Sequence, residues 1–427
     1  NLPFQLTNAQ HRVWQEVASD LTTPAPMVRM VQGDVGSGKT VLAALAACRA
    51  IDNGCQVAVL APTEILAEQH LHSFSHWLNP LGVNVVWLTG KQKAQTKRQS
   101  LAAITSGEGQ VIIGTHALFQ EAVHYQYLGL VIIDEQHRFG VAQRHSLVKK
   151  APPGSGLHQL VMTATPIPRT LAMSAYGDLD HSVIDELPPG RKPINSVLLN
   201  NNKRADVIER IRLACNSGQQ VYWICPLIET SDVLQCEAAQ DTAALLTQQL
   251  DNITVGLVHG RLTSIEKAEV MARFKSGDIQ LLVATTVVEV GVDVPNANLM
   301  VIDNAERLGL AQLHQLRGRV GRGQAQSYCL FMYQAPLSKM GRERLDILRQ
   351  SNDGFVIAER DLQLRGPGEV LGTRQAGVIG LRIADLMRDA HLLPEVKRIA
   401  AGYASHPDKT AQIILRWVGD KQAFSKV

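Results

Sequence analysis

The octapeptide Gly33-Asp34-Val35-Gly36-Ser37-Gly38-Lys39-Thr40 decides how the first half of this chain folds. It fits the pattern G-x-x-x-x-G-K-[ST], and it has the flanks that pattern needs. An apolar, β-branched run at 28–31 precedes it and a helix-forming run at 41–51 follows. Glycines allow a tight backbone whose N–H groups wrap a phosphate at a helix N-terminus, where the helix dipole favours negative charge. In such a loop Lys39 reaches the β- and γ-phosphates, and the Thr40 hydroxyl sits on Mg2+. A glycine-rich turn that fits by chance is the weaker reading when strand and helix are both in place. The triphosphate-binding set is therefore Gly33, Gly36, Ser37, Gly38, Lys39 and Thr40.

Outward from this loop, short β-branched runs alternate with helical stretches, the pattern of parallel βαβ units and an α/β fold. Strands are expected at 27–31, 56–60, 110–113, 128–133 and 159–162, and in a second half at 220–225, 254–258, 279–284, 299–303 and 327–332. Between the halves lies Leu187-Pro188-Pro189-Gly190-Arg191-Lys192-Pro193. Its prolines and glycine cannot continue a helix or a central strand, so it reads as a linker. After about residue 333 the strand signal fades into a polar, helix-leaning tail that contains Arg365-Gly366-Pro367-Gly368-Glu369 and Gly372-Thr373-Arg374-Gln375.

Leu130-Val131-Ile132-Ile133 is an apolar strand that ends abruptly in Asp134-Glu135-Gln136-His137. The carboxyl ends of parallel strands gather at one edge of the sheet, which brings these carboxylates beside the phosphate loop. Asp134 can then hold Mg2+ through water, and Glu135 can polarise the attacking water. A solvated Asp-Glu at a strand end is common in isolation; after a phosphate loop the D-E-x-H pattern resembles that of superfamily 2 helicases.

Further motifs extend the resemblance along the chain. Phe4-Gln5-Leu6-Thr7-Asn8-Ala9-Gln10 looks like the Q-motif, which implies Phe4 and Gln10 in the ATP site, with Gln10 reading adenine. Ala61-Pro62-Thr63-Glu64 and Gly114-Thr115-His116 resemble motifs that grip the nucleic-acid backbone, implying DNA contacts from Thr63, Thr115 and His116. Helix N-caps explain those residues about as well without the family. Thr163-Ala164-Thr165-Pro166 resembles the motif linking hydrolysis to DNA movement, through Thr163 and Thr165. Ala284-Thr285-Thr286-Val287-Val288-Glu289-Val290-Gly291-Val292-Asp293 resembles motif V, implying Thr285 on DNA and Gly291 and Asp293 near ATP. Gln315-Leu316-Arg317-Gly318-Arg319-Val320-Gly321-Arg322 resembles motif VI, whose Arg319 and Arg322 would be arginine fingers. The catalytic set implied is Lys39, Asp134, Glu135, Arg319 and Arg322, with ATP and Mg2+ (on Thr40 and Asp134) as cofactors.

Three stretches narrow the family. Asp134 to Val141 (D-E-Q-H-R-F-G-V) and Thr163 to Leu171 (T-A-T-P-I-P-R-T-L) resemble both the RecG family of branch-migration helicases and the transcription-repair coupling factors. The stretch from Gly354-Phe355 to Gln375 resembles a translocation motif of those two families, which implicates Arg344, Arg365 and Gln375 in coupling. Gln136, Leu187-Pro188-Pro189-Gly190-Arg191 and the sequence around motif VI favour RecG. The resemblance implies two RecA-like parallel-sheet lobes in tandem plus a small C-terminal helical-hairpin and loop region: 1–187, 188–340 and 341–427. It also implies an ATP-driven double-stranded-DNA translocase that remodels stalled forks and Holliday junctions, with branched DNA and single-strand-binding protein as partners. The competing expectations are a coupling-factor motor that pushes RNA polymerase, and a nucleotide-gated DNA-binding module without turnover. Members of the family carry an N-terminal wedge domain, whereas this sequence opens at the Q-motif, with Asn1 rather than Met; a processed or truncated piece is expected.

Bulk composition agrees and excludes little more. A chain of 427 residues with 45% hydrophobic and 19% charged residues calls for two or three folded domains. A net charge of +3 is too small to argue for nucleic acid, so any binding face must be local. The six cysteines show no C-x-x-C pair or metal spacing, which suggests a reduced, cytoplasmic setting. No apolar run is long enough to cross a bilayer.

Overall fold

The computed structural model describes residues 2, 4–23, 25–90, 92–135, 139, 147, 150–152, 156–165, 179–187, 191–226, 232–285, 294–321, 323, 325–365, 388–403 and 406–418. Its first lobe is a seven-stranded sheet. The strands are β1 (Val28–Gly33), β2 (Gln56–Leu60), β3 (Val85–Leu88), β4 (Val111–Gly114), β5 (Leu128–Asp134), β6 (His158–Thr163) and β7 (Asp180–Ile184). They lie in the order β3-β4-β2-β5-β6-β1-β7, and every pairing is parallel. Four helices join them among the described residues: α1 (Asn8–Asp20), α2 (Lys39–Asp52), α3 (Glu64–Leu78) and α4 (Ala94–Ser106).

The second lobe repeats the plan with six parallel strands: β8 (Asn195–Asn200), β9 (Gln220–Cys225), β10 (Val255–Val258), β11 (Leu281–Thr285), β12 (Ala297–Ile302) and β13 (Tyr328–Tyr333). Their order, β10-β11-β9-β12-β13-β8, matches that of the first lobe without its last strand. Its described helices are α5 (Arg204–Asn216), α6 (Asp232–Gln249), α7 (Ser264–Ser276) and α8 (Leu310–Arg317). Then follow α9 (Lys339–Gln350), α10 (Gly354–Arg365), α11 (Leu393–Tyr403) and α12 (Pro407–Val418).

The central strands read as continuous apolar runs because helices cover both faces of each sheet. Two buried clusters sandwich the first sheet and two the second. All ten expected strands form, with ends displaced by no more than two residues. Three more were not legible: β3, β7 and β8. Each is a sheet edge; β7 and β8 mix polar and apolar residues, and β3 (Val85-Val86-Trp87-Leu88) is apolar but only four residues long and buried at alternate positions.

The repeated architecture carries a repeated device. Gln56 opens β2, and its buried amide donates to the carbonyls of Ile104 and Gly109 at 2.9 and 2.7 Å. Gln220 opens β9, the equivalent strand, and donates to the carbonyls of Phe274 and Ile279. Both satisfy the last carbonyls of a helix and the loop leading into the neighbouring strand.

Helices α9 and α10 do not open a separate core. Leu345, Leu348 and Ile357 pack in the same cluster as Leu313 and Leu316 of α8. The boundary expected after residue 340 therefore coincides with no break in packing.

Candidate active site

The phosphate loop leaves β1 at Gly33 and enters α2 at Lys39. Gly36 and Gly38 have φ of 80° and 89°, the left-handed region that only glycine enters without strain. A side chain would also displace Gln10: a Cβ on Gly38 would lie 2.2 Å from Gln10 Nε2. Gln10 reaches this loop because Thr7 and Gln10 form a capping box that starts α1. Its Nε2 donates to the Ser37 carbonyl at 2.8 Å, and its Oε1 accepts from Thr7 N at 2.9 Å. The adenine-reading amide expected from the sequence thus fastens the phosphate loop to α1. Phe4 is exposed, edge-on to Trp77 at 6.4 Å.

Lys39 Nζ donates to the carbonyls of Gly33 and Asp34 at 2.6 and 3.0 Å. Burial lowers its pKa, while Glu135, Asp134 and Asp34 pull it back up. The buried Ser37 hydroxyl has no protein partner, and it stands two residues before the N-terminus of α2. A cation, an unpartnered hydroxyl and glycine-dependent backbone fit a triphosphate.

Asp134 closes β5, and its Oδ2 lies 2.7 Å from Nε2 of the buried His70 on α3. Nothing in the sequence singled out His70; it is an apolar-face helix residue until the strand end is placed beside it. Glu135 has φ of 53°, a turn out of the strand that aims its side chain along the sheet edge. There it accepts from Thr163 Oγ1 at 3.2 Å and from Ala164 N at 3.3 Å. Burial and the adjacent Asp134 push its carboxyl above the usual range, against the pull of Lys39.

The second lobe meets this site through α8 and the turn after it. Gln315 Nε2 donates to Thr165 Oγ1 at 2.8 Å. His314 Nε2 lies 3.0 Å from Asp34 Oδ1 in the phosphate loop. Arg317 Nη2 lies 2.9 Å from His314 Nδ1. A guanidinium only donates, so Nδ1 accepts, and Nε2 carries the ring proton that faces Asp34. Burial opposes the charge on Asp34, but the His314 bond and nearby cations outweigh it and hold the carboxyl below its usual range. Arg317 is buried and also donates to the carbonyls of Leu348 and Ser351 at 2.8 and 2.7 Å, at the end of α9. Arg319 is close enough to lower the Lys39 pKa by its charge.

Of the other expected residues, Thr63 caps α3 by accepting from Leu66 N, and His116 is exposed. Thr115 and Thr285 are buried, and the Thr285 hydroxyl has no partner. Thr163 and Thr165 point into the seam rather than onto an outer face, as their bonds to Glu135 and Gln315 require. Thr40 stands in the first turn of α2. Arg344 donates to the carbonyls of Leu308 and Glu306 at 3.4 and 3.3 Å, just ahead of α8. Arg365 ends α10. Its side chain lies outside the described residues, as do Gly291, Asp293, Arg322 and Gln375.

Tandem parallel-sheet lobes with a phosphate loop and D-E pair on one and an arginine-bearing turn on the other define a superfamily 2 helicase motor. The chain matches the DEAD/DEAH box helicase family over residues 7–174 and the helicase conserved C-terminal domain over 202–324. Residues 351–415 match the ATP-dependent DNA helicase RecG, domain 3, C-terminal family. The chain belongs to the RecG family of helicases. It is 57% identical over 427 residues to the ATP-dependent DNA helicase RecG of Escherichia coli O157:H7, covering 99% of this chain and 62% of that protein. The Haemophilus influenzae RecG is 56% identical over the same share of each. A solved RecG bound to a three-way DNA junction superposes with a TM-score of 0.74 at 44% identity, covering 92% of this chain and 51% of the other. The chain thus spans less than two thirds of the length of these relatives.

Proposed function

We propose that this chain is the ATP-driven motor of a double-stranded-DNA translocase that remodels branched DNA, in the manner of stalled forks and Holliday junctions. One observation carries the reading: the Gly318-Arg319 turn of the second lobe abuts the phosphate loop of the first. A Cβ on Gly318 would stand 3.0 Å from Val35 Cβ. Hydrolysis then depends on how the lobes meet, and DNA lying across both can control that meeting.

Within this reading, Lys39 and the loop N–H groups hold the β- and γ-phosphates of ATP. Thr40, and Asp134 through water, would hold Mg2+, which would offset the negative charge of the phosphates. His70 orients Asp134, as hydrogen-bonded partners of metal-binding carboxylates do. Glu135 orients the attacking water, kept in place by Thr163 and Ala164 N. Arg319, with Arg322, neutralises charge that develops on the γ-phosphate. Residues 1–187 and 188–340 are the two motor halves, and 341–427 is a transmission segment that shares the second lobe's core. Thr63, Thr115, His116 and Thr285 stand at the strand ends where a DNA backbone would run. The setting is the bacterial cytoplasm, with single-strand-binding protein as a candidate partner. Among the described residues no helix is long and apolar enough to cross a membrane.

The family match at 351–415 favours this over a coupling-factor motor. ATPase rates on duplex, forked and single-stranded DNA test it. Stimulation by duplex and forked DNA well above single strands is expected; a rate indifferent to DNA would overturn the translocase reading, and no turnover with or without DNA would leave a nucleotide-gated binding module instead.

A further inference from the structure

The linker residue Arg191 touches both lobes at the seam. Its Nη1 donates to the Val35 carbonyl in the phosphate loop. Its Nε donates to the Gly321 carbonyl at 3.1 Å, and its Nη2 to the Gly318 carbonyl at 3.4 Å. Gly318 and Gly321 bracket Arg319. Two carbonyls flanking that residue in the second lobe, and one in the first, are therefore held by a single planar group.

The surroundings are shaped to admit this guanidinium. Gly36 takes a positive φ of 80°, and a Cβ there would lie 2.4 Å from Arg191 Nη1, so a side chain at 36 would displace the guanidinium. Gly321, with φ of 79°, makes the turn that aims its carbonyl at Arg191. The linker is itself fastened to the second lobe, where Gln326 Nε2 donates to the Pro193 carbonyl at 2.8 Å. Asp34, Leu187, Lys192, His314 and Arg317 line the same small cavity.

We propose that Arg191 is a positioning residue that sets the register of Arg319 against the phosphate loop. With the lobes together, all three carbonyls lie within reach and the 318–321 turn is fixed. With the lobes apart, the bond to Val35 is lost, and the guanidinium and the turn it holds are no longer registered against the phosphate loop. The linker thereby converts closure into the aim of the arginine finger. Only a guanidinium has donors in a rigid fork that can serve three acceptors at once; a lysine ammonium is a point charge on a flexible stem.

This rests on the ATPase reading above, and the experiment separates the two. Arg191→Lys and Arg191→Ala are compared with the unaltered chain for ATP turnover on duplex DNA, nucleotide Kd and melting temperature. Misplacing a catalytic group by about 1 Å costs on the order of 100-fold, so kcat is expected to fall about 10- to 100-fold in both variants. Nucleotide Kd should stay within about twofold, because the phosphate loop keeps its own contacts. Placing Arg191→Ala on Arg319→Ala should lower kcat no further. Unchanged kcat in Arg191→Lys overturns the proposal, as does a loss that multiplies with that of Arg319→Ala or that follows a fall in melting temperature. Normal turnover in Glu135→Gln would instead overturn the ATPase reading itself.

Discussion

Glu135 shows most directly how local geometry and electrostatics make a reactive group. Its left-handed backbone swings the carboxylate toward Thr163 and Ala164, and burial beside Asp134 keeps it a better proton acceptor than a surface glutamate. Glu135→Gln keeps the shape and loses the charge. ATP affinity should change less than about threefold, while turnover falls about 100-fold or more; a coupled-enzyme ATPase assay checks this. Lys39→Ala should instead weaken nucleotide binding itself. Asp34 gives a pH prediction. Its folded carboxyl lies below the ordinary value of 3.8, so its bond to His314 stabilises the lobe contact above that pH. The contribution fades as pH falls through the depressed folded value. Asp34→Asn should therefore cost about 1–2 kcal/mol at neutral pH, and that difference should shrink below about pH 4 in chemical unfolding.

Two arginines tie α8 to α9 reciprocally. Arg344 on α9 holds the carbonyls before α8, and Arg317 at the end of α8 holds the carbonyls at the end of α9. Arg317 serves carbonyls at the C-terminal end of α9 and Arg344 serves carbonyls of the turn before α8, so the pair moves as one piece. A shift of α8 on closure must then carry α9 and α10 with it. Arg344→Ala and Arg365→Ala should leave DNA binding and much of the ATP turnover in place while translocation stops. Triplex displacement measured beside ATP turnover decides this. If both fall together, or only the melting temperature falls, these residues merely brace helices, and Arg365 is no more than a cation at a helix C-terminus.

At the scale of the molecule, the two sheets share one strand order, yet only one of them offers a nucleotide site. Where the first lobe has Lys39 at the start of α2 and Asp134 at the end of β5, the second has Arg204 at the start of α5 and Asp303 just after β12. Arg204 and Asp303 form an ion pair of 2.8 Å, with the guanidinium 4.7 Å above the Trp223 ring. The cation is consumed internally, and no glycine-rich loop precedes α5. In the proposed mechanism the second lobe contributes Arg319 across the seam instead. Each half expressed alone, split near Pro193, should fold, since each has its own two-sided core. The first half should show no DNA-stimulated turnover, a loss of about 1000-fold or more for a motor deprived of its fingers. Full activity in that half would refute the arrangement. DNA affinity should fall steeply with salt and vary little with base sequence, because phosphate contacts release counterions and a net charge of +3 provides no global field.

The sequence by itself determined the class of fold, ten of the strands, and the phosphate loop. Apolar runs between glycine-rich turns and the spacing Gly38-Lys39-Thr40 are local facts, legible without the third dimension. Motifs rather than geometry also pointed to Glu135 and Arg319 as candidate catalytic residues. Only the tertiary structure decided the rest. The edge strands β7 and β8, mixed in polarity, form because a neighbour offers a ladder, and the four-residue β3 is fixed by its pairing with β4. His70 becomes a partner of Asp134, and His314 a bridge between Asp34 and Arg317, only when strand ends and α8 converge. Arg191 reads in sequence as one more polar residue in a proline-rich linker. Its three carbonyl acceptors are 127, 130 and 156 residues away along the chain. No periodicity or spacing records contacts of that range; they arise from the way two independently folded lobes meet.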